Sequence, residues 1–103
     1  MNTELKTILK GYLECLSWVN EDKELSLSDI KGAIITCNEF FRQITYSQLY
    51  EWNSEYSLEH MGHDLMLTKS GHGTGFWDKD DIGKLADDLT YIAENIKENR
   101  YEY

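Results

Sequence analysis

Apolar residues recur with a helical period over most of the chain. The i, i+3, i+4, i+7 spacing predicts a first helix over residues 3–19 and a second over residues 27–44. A shorter third helix is predicted over residues 46–54. Each predicted start carries side chains that can accept from the free amides of the first turn: Asn2 or Thr3, Ser26 with Asp29 or Ser28, and Thr45 with Gln48.

A helical turn is predicted over Ser57–Met61, and Gly62 is expected to end it. After this turn the apolar residues no longer follow a helical period. His63–Lys69 is predicted to be a strand, and Ser70–Gly73 has the composition of a turn. Thr74–Asp78 is predicted to be the returning strand of an antiparallel β-hairpin. Two strands alone are marginally stable in water, so we expect this hairpin to pack on the helices.

The last predicted helix covers residues 79–98, with Asp78 or Asp80 as its cap. Its apolar positions fall within a 120° arc of a helical wheel drawn at ~100° per residue. The predicted fold class is therefore α+β, in one domain over residues 1–103. It has about four helices and one antiparallel β-hairpin, in the order α-α-α-β-β-α.

The net charge of the chain indicates which classes of partner it can attract. The chain has 19 acidic and 10 basic residues, a net charge of −9 and an isoelectric point near 4.6. Residues 51–103 hold twelve of the acids and five of the bases, so most of the net charge lies in that half. Such a chain repels bare nucleic acid and anionic membranes, and it favours proteins with basic surfaces, including those that bind nucleic acid.

Cysteine usage points to a reducing compartment. Cys15 and Cys37 each fall on an apolar helical stripe, which predicts two buried, reduced thiols in a cytosolic protein. One cross-link between neighbouring helices is the alternative. The sequence has no apolar run of spanning length and no basic start followed by an apolar segment, so we expect neither a membrane span nor a signal peptide.

The segment from Gly62 to Asp78 resembles the signature of a small protein family common in phages and prophages. That signature runs Gly-His-Asp, then Leu-Thr, then Gly-His-Gly-x-Gly-Phe-Trp-Asp. The matching residues are Gly62, His63, Asp64, Leu67, Thr68, Gly71, His72, Gly73, Gly75, Phe76, Trp77 and Asp78. Leu65, Met66, Lys69 and Ser70 depart from it. The resemblance implies a mobile-element origin and action in the cytoplasm of a bacterial host cell, and it implies no particular chemistry.

The region from His60 to Asp78 holds the residues most suggestive of a metal site: His60, His63, Asp64, His72 and Asp78. We predict no metal, because Gly62 should separate the first two histidines and the chain has no His-Glu-x-x-His or Cys-x-x-Cys motif. His63 and Asp64 are instead expected to fix the entry to the first strand, and His72 to be a solvated turn residue.

Catalysis and cofactors are also not predicted. The glycines of Gly71–Gly75 are not followed directly by a helix or by a lysine-serine pair, so a phosphate loop is not expected. Ser70 and His72 are too close in sequence to form a convincing nucleophile and base, and both cysteines are expected to be buried. The prediction is a protein that is not an enzyme and has no cofactor.

The last predicted helix carries the strongest functional pattern. Its exposed stripe consists of Asp80, Lys84, Asp87, Tyr91, Glu94 and Glu98, with Asp88 beside it. Neighbouring stripe positions would lie about 5–6 Å apart along the axis, close to the ~6–7 Å between phosphates of one strand. A helix with carboxylates at this spacing can imitate a nucleic-acid backbone. The alternative is a solubilising face.

These observations favour a protein-binding inhibitor that docks an acidic surface on a basic, nucleic-acid-handling host protein. A counter-defence factor, such as an anti-CRISPR or anti-restriction protein, is the concrete form. The predicted partner-binding residues are Asp80, Asp87, Asp88, Tyr91, Glu94 and Glu98, with His72 and Trp77 at the hairpin. Two alternatives stay open: a small-ligand or metal-binding module on the Gly62–Asp78 hairpin, and a self-associating regulatory phage protein, for example a homodimer.

Overall fold

The computed structural model describes residues 2–21, 23–71 and 74–96, and within these ranges it contains helices and no strand. The five α-helices are α1 (Thr3–Val19), α2 (Leu27–Gln43), α3 (Tyr46–Asn53), α4 (Leu58–Ser70) and α5 (Lys84–Glu94). Two short 3₁₀ turns, Phe76–Asp78 and Asp80–Ile82, connect α4 to α5.

The first three helices begin where the capping residues predict. The Asn2 side chain accepts a hydrogen bond of 2.8 Å from the Leu5 amide at the start of α1. Two reciprocal capping boxes start the next helices, and each satisfies two amides that have no partner within the helix. These boxes pair Ser26 with Asp29 and Thr45 with Gln48.

The predicted α+β class is wrong, because α4 runs through the segment predicted as the first strand of a hairpin. Ser57 caps α4, and the helix continues past Gly62 to Gly71, whose φ of +69° is the left-handed conformation that ends many helices. The predicted returning strand is instead the 3₁₀ turn Phe76–Asp78. A short apolar run such as Leu65–Leu67 fits both a strand and a buried helix, because it is too short to show a period. Tertiary packing then decides which of the two forms.

The last helix is shorter than predicted at its start. Gly83, with φ +55°, separates the 3₁₀ turn Asp80–Ile82 from α5, which begins at Lys84. Neither Asp78 nor Asp80 caps α5. Its cap residue is Gly83, so no side chain caps the first turn of this helix. The predicted end at residue 98 lies outside the described residues.

The core is centred on three fully buried aromatic rings. Phe76 stacks on Phe40 of α2, with ring centroids 5.6 Å apart, and meets the edge of Trp52 of α3 at 5.4 Å. The Trp52 indole N–H donates to the Ser57 carbonyl at 2.8 Å, so its one polar atom is satisfied. The Phe76 ring therefore anchors the connection between α4 and α5 to α2 and α3.

Both cysteines are buried and unpaired, as the helical stripes predict. Burial raises the pKa of the Cys15 thiol to about 11, with a smaller contribution from the nearby Asp64 carboxylate. Burial alone raises the pKa of the Cys37 thiol to about 12. Both side chains are therefore protonated near neutral pH and behave as small apolar groups.

Candidate functional site

The segment that carries the phage-family resemblance contacts the rest of the protein through internal packing. Gly62 lies buried in α4 against the backbone of α1. The Thr68 hydroxyl accepts a hydrogen bond of 3.2 Å from the Phe76 amide, in a buried position. Gly75 lies directly over the Thr68 side chain, where a Cβ atom would overlap it. These contacts fold the chain back onto α4 and place Phe76 in the core.

A buried ion pair fixes the same connection one turn earlier on α4. Lys79 Nζ lies 3.0 Å from Asp64 Oδ2, and the two side chains are only 14% and 5% exposed. The distance is that of an ion pair, but no well-oriented hydrogen bond reaches Oδ2 from the described residues. Burial raises the pKa of Asp64, and the Lys79 ammonium opposes that shift. The attraction holds Lys79, and with it the start of the second 3₁₀ turn, against α4.

Aromatic rings and a histidine surround this pair. His60 Nε2 lies 3.7 Å from the other oxygen of Asp64, and burial lowers the pKa of His60. Lys79 Nζ is 5.3 Å from the centre of the Tyr56 ring, a cation–π geometry. The Tyr56 hydroxyl donates to the Asp81 carboxylate at 2.7 Å, which raises the pKa of Tyr56 to about 12. This cluster connects the segment between α3 and α4, α4 itself and the turn before α5.

Four of the five residues weighed as metal ligands are described, and they contact different partners. His60 contacts Asp64, whereas His63 lies 3.8 Å from Glu14 of α1. The Asp78 carboxylate accepts a hydrogen bond of 2.5 Å from the Thr74 hydroxyl. His72 lies outside the described residues. Over the ranges that the structure covers, no three His, Cys, Asp or Glu side chains converge as metal ligands would. The predicted role of His63 and Asp64 at a strand entry is wrong, since both lie within α4.

The acidic face of α5 forms over a shorter length than predicted. We define the α5 face as Asp87, Tyr91 and Glu94, which are all exposed and lie opposite the buried side chains of the helix. Tyr91 is 69% exposed. Asp88 is turned to the side, where its carboxylate pairs with Lys84 Nζ at 3.2 Å. Asp87 and Glu94 make no ion pair with any cation in the described ranges.

The remaining predicted binding residues divide between other positions. Asp80 is exposed, but it lies in a 3₁₀ turn before Gly83, so it does not continue the α5 face. Trp77 is 48% exposed beside the buried Phe76, and it lies in a 3₁₀ turn and not in the predicted returning strand. Glu98 and His72 lie outside the described residues. Of the predicted six-position stripe, the described residues that form one exposed acidic surface are the three of the α5 face.

Sequence reasoning missed two exposed tyrosines on α3. Tyr46 and Tyr50 are 89% and 79% exposed, whereas Leu49 and Trp52 on the same helix are buried. The spacing of four residues puts both rings on one face, a signal that was present in the sequence. The Tyr56–Asp81 and Asp64–Lys79 contacts carried no local signal, because the partners are 25 and 15 residues apart.

Comparisons with protein families, with curated proteins and with solved structures find no match for this chain. None of the helices in the described ranges combines the length and the apolar character that crossing a bilayer requires.

Proposed function

We propose that this protein is a small acidic inhibitor that binds a basic, nucleic-acid-handling protein of a bacterial host cell. The observation that supports the proposal most directly is the α5 face, where Asp87 and Glu94 flank the exposed ring of Tyr91. Seven residues of helix place the two carboxylates about 10 Å apart along the axis, two turns on the same side. An aromatic side chain between two carboxylates is suited to anchor a complex with a cationic surface.

The net charge of −9 favours a protein partner over nucleic acid. Phosphates and the α5 face repel each other, while a surface of lysines and arginines that normally holds phosphates attracts it. Neither Asp87 nor Glu94 forms an ion pair with a cation of the described ranges. This matters because a carboxylate already neutralised by a neighbouring lysine, as Asp88 is by Lys84, contributes less to the attraction.

Inhibition would occur by steric occlusion. A domain of this size seated on a nucleic-acid-binding surface blocks the nucleic acid without any chemical step. Electrostatic complementarity steers such an encounter and makes association fast and sensitive to salt. The resemblance of Gly62–Asp78 to a phage and prophage family favours a counter-defence role, such as anti-CRISPR or anti-restriction activity, in the bacterial cytoplasm.

The alternative of a ligand-binding hairpin has lost its structural basis. The predicted first strand lies within α4, and Phe76–Asp78 of the predicted second strand form a 3₁₀ turn. Thr68, Gly75 and Phe76 contact one another. Gly62 and Gly75 allow close packing, and Gly71 ends α4. The signature segment and the proposed binding face are thus different parts of the molecule.

Affinity capture from a bacterial host lysate tests the proposal. Immobilised wild-type protein should retain a nucleic-acid-binding protein at low salt and release it at raised salt, as identified by mass spectrometry. The Asp87→Lys, Glu94→Lys variant should retain much less of it. The matched control is Glu21→Lys with Glu24→Lys, which changes the net charge equally on the exposed loop between α1 and α2. Equal retention by both variants would contradict the α5 face as the binding site.

A further inference from the structure

A groove lies between the start of α1, the end of α2 and the exposed side of α3. It consists of two adjoining cavities with volumes of about 260 and 180 Å³. Glu4, Tyr46 and Leu49 line both cavities, so the two lie side by side on the same part of the surface. The remaining lining residues are Asn2, Phe41, Ile44, Thr45, Tyr50, Asn53 and Leu58.

The lining combines an apolar floor with aromatic rims. Leu49 is buried at the junction of the two cavities, while Tyr46 and Tyr50 project into solvent above it. Two tyrosines one helical turn apart that are more than three-quarters exposed gain nothing from the core of this protein. Exposed aromatic side chains beside apolar cavities are typical of surfaces that bind another protein.

The described lining of the groove carries a negative charge. Among the residues that the structure describes, Glu4 is the one charged side chain that lines the two cavities, and no lysine or arginine of these ranges lines either of them. Arg42, near the end of α2, is paired with Glu39 at 2.7 Å. A carboxylate beside two open tyrosine faces is complementary to a guanidinium or ammonium group, which can pair with the carboxylate and stack on a ring.

We propose that this groove binds a basic linear segment of a partner protein, in which an arginine or lysine lies next to an apolar residue. The apolar side chain would fill the cavity over Leu49, and the cation would lie between Glu4 and the tyrosine rings. Each cavity is smaller than the ~300–1,000 Å³ of a small-molecule site, so single side chains of a peptide fit better than a cofactor.

This groove is separate from the α5 face and does not depend on it. It is built from α1, α2 and α3 with one residue of α4, and none of its lining residues belongs to α5. The groove is therefore a second contact surface, of a different kind. The α5 face offers a charged helix to a folded basic surface, whereas the groove offers apolar cavities to an extended segment.

Amide chemical-shift mapping of the ¹⁵N-labelled full chain tests the groove. The probe is the capped peptide acetyl-Leu-Arg-Leu-amide, and its neutral counterpart replaces arginine with citrulline. We expect shifts over residues 2–5 and 45–53 with the arginine peptide, and at least about threefold weaker binding with the citrulline peptide. Glu4→Gln and Tyr46→Ala should each weaken binding of the arginine peptide by a similar factor.

Trp18→Ala is the matched control, because Trp18 is an exposed aromatic on α1 that does not line the groove. It should leave binding of the arginine peptide unchanged. Equal affinity for the two peptides would overturn the cationic part of the proposal. Absence of shifts up to millimolar peptide, or shifts confined to α5, would overturn the groove as a binding site. Shifts confined to α5 would at the same time agree with the proposed function, so the two claims fail separately.

Discussion

Gly11 of α1 and Gly62 of α4 lie at the crossing of their helices, where the two backbones meet without side chains between them. A Cβ atom on Gly62 would overlap the Ile8 carbonyl oxygen, and one on Gly11 would overlap the Glu59 carbonyl oxygen. The neighbours at each position are backbone atoms, which cannot move aside as a flexible side chain would. The glycine at the start of the signature segment is thus a packing residue.

Replacing Gly62 with alanine should strongly destabilise the protein. The added methyl group must force α1 and α4 apart, and overpacking of this kind costs about 3 kcal/mol or more when backbone atoms oppose it. Urea denaturation measures the change. Gly71→Ala is the control: its Cβ meets nothing within 4 Å, and the left-handed φ should cost only about 1 kcal/mol. Equal losses for the two variants would contradict the close crossing.

Removing the cation of the buried ion pair should also be costly. Lys79→Met leaves the Asp64 carboxylate buried without a counter-charge, and we expect a loss of about 3 kcal/mol in the free energy of unfolding. Because the cost comes from the stranded charge, Asp64→Asn in the same chain should recover part of it. A double-mutant cycle measured by urea denaturation gives the coupling. Additive effects would show that the two side chains do not interact.

The hydrogen bond between α4 and the core turn can be removed without changing shape. Thr68→Val keeps the volume of the side chain but leaves the Phe76 amide without its acceptor, which should cost about 1–3 kcal/mol. Thr90→Val on α5 is the control, because the Thr90 hydroxyl only donates to the Ala86 carbonyl of its own helix. That variant should stay within about 0.5 kcal/mol of wild type. Similar losses from both would contradict the buried Thr68–Phe76 bond.

Stability should fall on mild acidification because of His60. Burial lowers its pKa below the ordinary 6.5, so between the two values the unfolded chain binds more protons than the folded protein. The melting temperature should therefore decrease as the pH falls from about 7.5 to 5.5. Asp64, whose pKa is raised, contributes the opposite slope as its own carboxyl takes up a proton.

His60→Gln should flatten this decrease, even if the level of stability changes through its lost contacts with Trp52 and Tyr56. The readout is the slope of melting temperature against pH in that window. An unchanged slope in the variant would show that His60 is not the group responsible.

Local signals predicted the first three helices well. A cap such as Ser26 with Asp29, followed by apolar positions at helical spacing, acts within one turn and needs no knowledge of the rest of the chain. The bounds of α1 follow from the same kind of signal, with Asn2 as its cap. Tertiary contacts agree with these preferences and do not override them.

The hairpin prediction was wrong because the role of Gly62 depends on a tertiary contact. A glycine can end a helix or allow two helices to touch, and the second role depends on Gly11, which lies 51 residues earlier in the chain. The acidic stripe was overextended for a related reason. Apolar spacing continues smoothly through Ile82 and Leu85, yet the backbone changes from 3₁₀ to α at Gly83 between them.

The most direct test of the α5 face is the rate at which the captured partner associates with purified variants. Surface plasmon resonance gives the association rate constants at about 50 mM salt, where the charges are weakly screened, and at about 500 mM salt, where they are strongly screened. The wild type and the Glu21→Lys, Glu24→Lys control should associate at least about tenfold faster at the lower salt. Asp87→Lys with Glu94→Lys should lose most of that dependence and bind weakly at both. Wild-type kinetics from the α5 variant would contradict the proposal that this face carries the binding.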